Sequence, residues 1–287
     1  MQLSRFQTAD LFLARAQAAL ERQEAANNLL LSIATRLKEH PDRIKTPPYL
    51  VTVEEGSALL AAAVMTPPHR IITQGESADP TPLRLIADDL IAGGWTAPGT
   101  IGRAEIARAF AEVFAAARGG AFRLNMHQRI YELRQVIPPV GVPGYLRLAT
   151  EADLELATQW VYAFMHDAGI GDSMETARET TEMRVDDRDF FFWDDGQPVS
   201  MAFKSRHTTH GVTVSGVYTP PAFRRRGYAG ACVATLSQRL LDAGWEFCTL
   251  YTDLANPTSN SVYQKIGYQP VCDSDEYVFE QSAPATG

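Results

Sequence analysis

Residues 214–229 read VSGVYTPPAFRRRGYA, a pattern of strand, stop, basic loop and helix. Val214 to Thr219 is rich in the β-branched and aromatic residues that favour a strand. Pro220 and Pro221 follow, and neither has the N–H group that a strand ladder requires. Beyond Gly227, apolar residues recur every three or four positions, which predicts a helix. The stretch therefore predicts a strand, a loop and a helix in that order.

Three arginines and a glycine lie where this helix is expected to begin. Arg224, Arg225 and Arg226 run directly into Gly227. The first turn of a helix leaves N–H groups unpaired and carries partial positive charge, and glycine lets the backbone approach a ligand closely. Neither a G-x-x-x-x-G-K-[ST] nor a G-x-G-x-x-G motif is present. The loop alone can be a basic surface turn or an anion site of another kind.

The loop resembles the pyrophosphate loop of the GNAT superfamily, the acetyl-CoA-dependent N-acetyltransferases. The matching residues are Arg224, Gly227 and Ala229, spaced Arg-x-x-Gly-x-Ala. A second stretch, residues 251–268, reads YTDLANPTSNSVYQKIGY and is similar to the late motif of the same family. Its matching residues are Asn256, Ser259, Tyr263, Lys265, Gly267 and Tyr268. Two motifs in the family's order make the second half of the chain similar to a GNAT domain.

The resemblance implies acetyl-CoA as co-substrate, no metal, and a cofactor site on both motifs. The main chain of Val217, Tyr218 and Thr219 is then expected to bind the pantetheine arm like an added strand. The full set of expected cofactor-binding residues is Val217, Tyr218, Thr219, Arg224, Arg225, Arg226, Gly227, Tyr228, Ala229, Asn256 and Ser259. The local pattern agrees for Asn256, because Pro257 suits the first position of a helix and makes Asn256 its N-cap.

The implied reaction is direct transfer of an acetyl group to a primary amine. By resemblance, Tyr263 is the general acid that protonates the leaving thiolate, and the alternative is a core tyrosine between helix and sheet. Thr213 stands where family members often have a glutamate base, so the base stays open between Asp253, Glu182 and a water chain. His207 and His210 have no carboxylate or cysteine at ligand spacing, which argues against a metal site.

The acceptor is expected to be the primary amine of a small molecule, amino acid or peptide. Two alternatives stay open: a non-catalytic acyl-CoA-binding sensor or structural module, which Thr213 favours, and a transferase of a longer acyl group. In the family, the loop between the first two helices covers the acceptor. The expected substrate neighbours are therefore Met165, His166, Asp172 and Glu175.

A proline- and glycine-rich segment divides the chain. Residues 138–144 read PPVGVPG, which cannot continue a helix or a central strand. The sequence therefore predicts domains at 1–137 and 145–287. A helix, a hairpin, a helix, a short strand, a helix and a strand occur in the same order in both, so we expect an α/β (α+β) fold. In it, two tandem GNAT-like domains each have a mixed, mostly antiparallel sheet flanked by helices.

The first predicted domain has no match to the cofactor loop. It is interpreted as a degenerate GNAT-like copy, with an unrelated α/β domain as the alternative. The last strands are expected to be a closing hairpin of Tyr268–Val271 and Tyr277–Glu280, and residues 6–38 are expected to be a helix.

Composition excludes several classes of protein. The chain has 287 residues, of which 45% are hydrophobic and 21% charged, as in a folded globular protein. The net charge of −8 argues against nucleic acid as a partner. The acidic excess lies in residues 144–287, where it serves solubility or attracts a cationic amine. The longest apolar run, 58–65, is too short to cross a membrane.

Three cysteines, Cys232, Cys248 and Cys272, lack C-x-x-C spacing. Reduced thiols in a cytoplasmic protein are the simplest interpretation. The oligomeric state is expected to be a monomer or a homodimer.

Overall fold

The computed structural model describes residues 1–41, 46–171 and 173–280, and its two halves have the same order of elements. The first half contains β1 (Gln2–Arg5), α1 (Ala9–Leu20), α2 (Asn28–Glu39), β2 (Tyr49–Glu55), β3 (Ala58–Met65), β4 (Ile71–Gly75), α3 (Pro80–Ala92), β5 (Gly99–Arg103), α4 (Ala104–Arg118) and β6 (Ala121–Leu133). The second contains β7 (Tyr145–Leu148), α5 (Leu154–Asp167), α6 (Met174–Asp186), β8 (Phe190–Asp194), β9 (Pro198–His207), β10 (Gly211–Tyr218), α7 (Tyr228–Asp242), β11 (Phe247–Asp253), α8 (Pro257–Lys265) and β12 (Gln269–Glu280). The predicted α/β fold class is confirmed.

The chain packs into two compact units whose segments are not contiguous in sequence. The N-terminal unit comprises Met1–Ile130, Thr252–Ala255 and the chain from Pro270 onward. The C-terminal unit comprises Tyr131–Tyr251 and Asn256–Gln269. Strand β12 therefore packs almost entirely with the N-terminal unit, although it follows α8 in sequence. The predicted linker at 138–144 stays a prediction, and a cut there would separate β12 from the rest of its unit.

The N-terminal unit has a mixed sheet with helices on both faces. Its strands follow the order β1-β2-β3-β4-β5-β12-β6, and β4 and β5 are parallel, with Ile71 opposite Thr100. Strand β12 joins β5 in antiparallel fashion from Ser274 to Val278. Because side chains alternate along β2, Val51 faces the core with α3 and α4, and Leu50 faces the core with α1 and α2.

The C-terminal unit repeats this arrangement. Its strands follow the order β11-β10-β9-β8-β7, and only β10 and β11 are parallel among the pairs described. Val212 and Val214 of β10 pack in one core with α7 and α8. Phe190 and Phe203 pack in the other with α5. The two faces of this sheet thus pack against different helices.

Two predicted elements were wrong. The helical region at 6–38 consists of α1 and α2, and the Asn27 side chain donates to the Leu20 carbonyl where α1 ends. The predicted closing hairpin is one continuous strand, β12. Its central polar residues read as a turn but are satisfied within the sheet: the Ser274 hydroxyl donates to the Gly102 carbonyl at 3.0 Å, and Asp275 accepts from the Tyr277 hydroxyl at 3.0 Å.

A β-bulge interrupts β10 just before its end. Ser215 lies opposite Phe203 and Tyr218 opposite Met201, so two residues of β10 face one residue of β9. Gly216 occupies the bulge with φ +61°, and a Cβ there would lie 2.2 Å from the Phe203 ring. Both the left-handed backbone and the close ring require glycine. The bulge sets the direction in which the end of β10 leaves the sheet.

We predict that Gly216→Ala destabilises the protein more than Gly56→Ala. Both glycines have φ +61°, but a Cβ at Gly56 meets nothing within 4 Å. The left-handed backbone alone costs about 1–2 kcal/mol, and crowding against Phe203 adds about 1–3 kcal/mol. Urea unfolding of both variants measures the difference. Equal losses would show that the ring of Phe203 moves aside freely and does not require glycine at the bulge.

Candidate functional site

The parallel strands β10 and β11 are paired over only three residues. The pairs run from Gly211–Phe247 to Thr213–Thr249, whereas β10 continues to Tyr218. Beyond Thr213, the edge of β10 that faces β11 has no strand partner in the described ranges. An unpaired strand edge is a template for an extended ligand. Val217, Tyr218 and Thr219, predicted to bind the cofactor, all lie on or directly after this edge.

Two of these main-chain carbonyls already accept hydrogen bonds. The Ser200 hydroxyl donates to the Tyr218 carbonyl at 3.0 Å, and Nε of Arg224 donates to the Thr219 carbonyl at 2.9 Å. Val217 is left out of the register between β10 and β9 by the bulge.

The loop after β10 turns its backbone through two left-handed residues. Arg225 has φ +64° and Gly227 has φ +85°, and α7 begins at Tyr228 without a side-chain cap. The first N–H groups of α7 therefore have no side-chain acceptor. Such alternation of backbone conformations next to an uncapped helix start forms a concave set of N–H donors that suits an anion. A Cβ at Gly227 would lie 2.9 Å from Val142, so the glycine is also needed for packing.

The three predicted arginines have different surroundings. Besides its bond to Thr219, Arg224 donates from Nη2 to Asp167 Oδ2 at 2.9 Å, and its guanidinium lies 5.8 Å from the Tyr218 ring centroid. Arg224 thus joins the end of β10 to the end of α5. Arg225 and Arg226 are exposed at the loop surface, and Arg226 also interacts with the Tyr228 hydroxyl.

Tyr228 and Ala229, also predicted to bind the cofactor, form the first turn of α7. The Tyr228 side chain is buried, and its hydroxyl donates to Asp195 Oδ2 at 2.6 Å. This hydrogen bond raises the pKa of Tyr228 above its ordinary value. The side chain anchors the helix start, so Tyr228 is left to contribute its main-chain N–H to an anion, as Ala229 does.

Helix α8 packs on the first turns of α7. A Cβ at Gly230 would lie 3.5 Å from Val262 and 3.8 Å from Ile266, an ordinary contact distance. Asn256 caps α8, as its sequence position predicts: Oδ1 accepts from the Ser259 N–H at 3.1 Å. The predicted cofactor residues Asn256 and Ser259 therefore form the start of a helix that lies against α7.

Tyr263 lies in the core that contains α7. Its side chain is 7% exposed, and its hydroxyl has no hydrogen-bond partner among the described residues. Burial, and to a smaller extent the neighbouring Cys232, raise the pKa of Tyr263 well above its ordinary value. The phenol therefore keeps its proton at neutral pH. Tyr268 differs, because its hydroxyl shares a 2.8 Å hydrogen bond with that of Ser237.

The position expected for a general base carries a pair of hydroxyls. Thr213 Oγ1 lies 2.9 Å from Thr249 Oγ1, and both side chains are buried. The alternatives named from sequence have other contacts: Asp253 accepts from the Ala255 N–H at 2.8 Å, and Glu182 lies 3.9 Å from Arg178 on α6. The structure thus shows a neutral pair at the point where β10 and β11 part.

The sheet face opposite α7 carries a cation that sequence reasoning missed. Thr249 and Tyr251 share this face, because the residues between and before them pack in the core with α7. The Arg206 guanidinium lies 5.1 Å from the Tyr251 ring centroid. Its Nε is buried without a hydrogen-bond partner, and no ion pair of Arg206 occurs within the described ranges. In sequence, Arg206 was one of three basic residues at the end of β9, beside Lys204 and His207, and nothing distinguished it from them.

The predicted substrate neighbours do not form one cluster. Met165 is buried in the core under α5, His166 is exposed and 3.9 Å from Asp167, and Glu175 lies in the first turn of α6. Asp172 lies outside the described residues.

In the N-terminal unit, the equivalent helix is α3, and a side chain caps its start. Asp79 caps α3 and accepts from the Thr81 N–H at 2.9 Å and the Thr81 hydroxyl at 2.8 Å. These hydrogen bonds lower the pKa of Asp79. Pro80 and Pro82 supply no N–H groups in this turn. A negative charge and missing donors disfavour an anion here, which agrees with the interpretation of a degenerate copy.

Two further classes of site are absent from the described part of the chain. Within residues 1–41, 46–171 and 173–280, no three His, Cys, Asp or Glu side chains come together as metal ligands. The helices of these same ranges are too short or too polar to span a bilayer.

Comparisons with known proteins concern the family and the fold. Residues 195–278 match the family model described as FR47-like protein. Comparison with curated sequences gives no match. A GCN5-related N-acetyltransferase from Sphaerobacter thermophilus is similar in structure, with a TM-score of 0.62 at 14% identity over 97% of this chain and 95% of that one.

Two further structures match the chain over nearly its whole length. A GNAT-family acetyltransferase from Colwellia psychrerythraea has a TM-score of 0.59 at 9% identity, covering 98% of this chain and 100% of its own. A tandem GNAT protein from the clavulanic acid biosynthesis pathway has a TM-score of 0.55 at 11% identity, covering 99% of each chain. These likenesses confirm the resemblance to the GNAT superfamily at the level of fold, with two GNAT-like domains.

We predict that Gly227→Val weakens acetyl-CoA binding at least about tenfold, a loss of about 1.4 kcal/mol. The β-branched side chain disfavours φ +85° and fills the concave set of N–H groups. Gly244→Val is the matched control, because Gly244 follows the other end of α7 with φ +103° and open space around it. Calorimetry with acetyl-CoA, with circular dichroism as the folding check, should separate the two. Near-normal affinity in folded Gly227→Val would remove the loop from the cofactor site.

Proposed function

We propose that this protein, which has the GNAT fold and an FR47-like segment, transfers an acetyl group from acetyl-CoA to a primary amine of a small molecule, amino acid or peptide. One observation supports the proposal most: β10 and β11 part after Thr213 beside a helix start that is uncapped at Gly227. The parted strands offer an unpaired edge, and the helix start offers N–H donors. A thioester whose carrier has an extended arm and a pyrophosphate is complementary to both features.

Each proposed cofactor residue has a distinct task. The N–H groups at Gly227, Tyr228 and Ala229 bind the pyrophosphate, and exposed Arg225 and Arg226 add positive charge. The main chain of Val217 extends the sheet toward the pantetheine arm. Residues already engaged in the protein, such as Arg224 through Asp167, hold the loop in the shape that binds.

Tyr263 is proposed as the general acid. As the amine attacks the thioester carbonyl, a C–N bond forms, the C–S bond breaks, and the sulfur gains negative charge. The Tyr263 hydroxyl is protonated at neutral pH, has no hydrogen-bond partner among the described residues, and is nearly shielded from water. It can therefore donate a hydrogen bond to the sulfur. The burial that raises the pKa of the phenol also destabilises a thiolate beside it, so the proton can follow as the C–S bond breaks. The proton lost by the amine passes to solvent and returns to the phenolate.

The neutral pair Thr213–Thr249 affects two parts of the proposal: how the amine loses its proton, and whether the protein is catalytic. A threonine hydroxyl does not accept a proton from an ammonium group, so the amine reaches the site as the free base or loses its proton through water. The same pair favours a second candidate, a non-catalytic module that binds acyl-CoA without turnover.

In either case we expect a cytoplasmic monomer or homodimer. Free cysteines agree with this location, since none of the three forms a disulfide.

Arg206 supports an acceptor that carries a carboxylate. The parted strands open the sheet face that Thr249 and Tyr251 share, and Arg206 lies over Tyr251 on that face. A partly buried guanidinium without an ion pair is costly unless a ligand supplies an anion. Arginine binds carboxylates through paired N–H groups. An amine with a nearby carboxylate, as in an amino acid or a peptide terminus, is therefore the proposed acceptor class.

We predict that Tyr263→Phe lowers the turnover number about a hundredfold to ten-thousandfold. The ring keeps its packing and no protein hydrogen bond is lost, so the melting temperature and the KM for acetyl-CoA should barely change. Tyr268→Phe is the control: it loses the hydrogen bond with Ser237 and should lower stability by about 1 kcal/mol without changing turnover. Steady-state kinetics with one accepted amine and thermal unfolding test both variants. Unchanged turnover in Tyr263→Phe would rule out the acid role, and no turnover in the wild type would favour the sensor.

We predict that Arg206→Gln raises the KM for a carboxylate-bearing amine about tenfold or more, and leaves the KM of the matched decarboxylated amine unchanged. The cost corresponds to a lost charged hydrogen bond of about 1.5–3 kcal/mol. Arg239→Gln is the control, because its guanidinium also lies over a ring, 5.4 Å from the centroid of Phe191, in the layer of α7. Acetylation with equal preference for both amines in wild type and variant would contradict the acceptor class but not the proposed reaction.

A further inference from the structure

The N-terminal unit contains a cleft that the proposed reaction does not use. It lies between the end of α1, the turn before α2, and strands β3 and β4, and has a volume of about 90 Å³. Its apolar wall includes Leu20, Leu59 and Ala61, and its polar wall includes Gln74 and Asn27. Because the helix start at Asp79 is closed to anions, a ligand of this cleft would not depend on a phosphate-bearing cofactor.

One buried side chain of this cleft lacks a hydrogen-bond partner. Gln74 is only 3% exposed, and its Oε1 has no partner among the described residues. Buried amide oxygens are nearly always hydrogen-bonded, so an unpartnered one indicates a missing donor. The other buried amide of the cleft, Asn27, is hydrogen-bonded: its Nδ2 donates to the Leu20 carbonyl at 2.7 Å. The Oε1 atom of Gln74 therefore indicates that a molecule in the cleft supplies an N–H or O–H donor.

Opposite charges also line the cleft without ion pairs. Arg22 and Glu76 both line it and are exposed, and within the described ranges neither forms an ion pair. A second cation, Arg103, is already engaged, since its Nη1 donates to Gln23 at 3.1 Å and its Nη2 pairs with Glu105 at 2.5 Å. An available guanidinium, an available carboxylate and a buried amide acceptor thus line one small cleft.

We propose that this cleft binds a small zwitterion, a free amino acid. Its carboxylate would pair with Arg22, its ammonium group with Glu76, and a further N–H or O–H donor with Gln74. The short apolar wall formed by Leu20, Leu59 and Ala61 accommodates a small side chain. The degenerate copy then keeps a ligand site after the loss of its cofactor loop, and it serves as a small-molecule-binding unit.

The experiment measures binding to the full-length protein without acyl-CoA, so turnover plays no part. The probes are the twenty free amino acids, each with its decarboxylated amine where one exists, screened by thermal shift and followed by calorimetry. We expect at least one small amino acid to bind, and its decarboxylated form to bind at least tenfold more weakly. Failure of all twenty to bind would overturn the proposal.

Variants then locate the binding. Gln74→Leu and Arg22→Gln should each weaken it at least tenfold. Gln74→Leu should not lower the melting temperature, because it removes a buried amide oxygen that has no hydrogen-bond partner among the described residues. Arg84→Gln, an exposed residue of α3, is the matched control. Arg206→Gln should leave this binding unchanged. Loss in Arg206→Gln alone would assign the amino acid to the C-terminal unit and overturn the cleft, while the proposed acetyl transfer would stand.

Discussion

The early parting of β10 and β11 is the constraint on which the C-terminal unit depends. Two parallel strands that stay paired hide every N–H and C=O group from a ligand. Here the pairing stops at Thr213 and Thr249, and the bulge at Gly216 turns the end of β10 further out of register. The parting creates the free edge, and the side chains of Ser200 and Arg224 satisfy the carbonyls that would otherwise be left unpaired.

The two units differ in how the start of the helix after their fourth strand is capped. In the C-terminal unit, α7 begins at a left-handed glycine with no side-chain cap. In the N-terminal unit, the Asp79 carboxylate takes the N–H group of Thr81 and brings its own negative charge. The order of helices and strands along the chain is the same in both halves. The proposed difference in anion binding therefore depends on which group satisfies the first N–H donors.

A further likeness between the units concerns the parallel strand pair itself. Thr73 and Thr100 hydroxyls lie 3.1 Å apart between β4 and β5, just as those of Thr213 and Thr249 lie 2.9 Å apart between β10 and β11. A buried hydroxyl pair satisfies both partners without charge. Its presence in both copies argues that the pair stabilises the parallel junction. This structural role accounts for a threonine at position 213 without a catalytic task.

The sequence by itself determined the features that depend on neighbours along the chain. The αL glycine at the start of α7, the cap at Asn256 and the repeated order of elements all follow from short-range rules of backbone conformation. These are also the features that carry the resemblance to the GNAT fold. Tertiary structure alone decided which distant groups meet: the engagement of Arg224 by Asp167, the position of Arg206 over Tyr251, and the packing of β12 with the N-terminal unit. The physical reason is that side-chain partners and strand neighbours are chosen by packing between segments far apart in sequence, which local patterns do not encode.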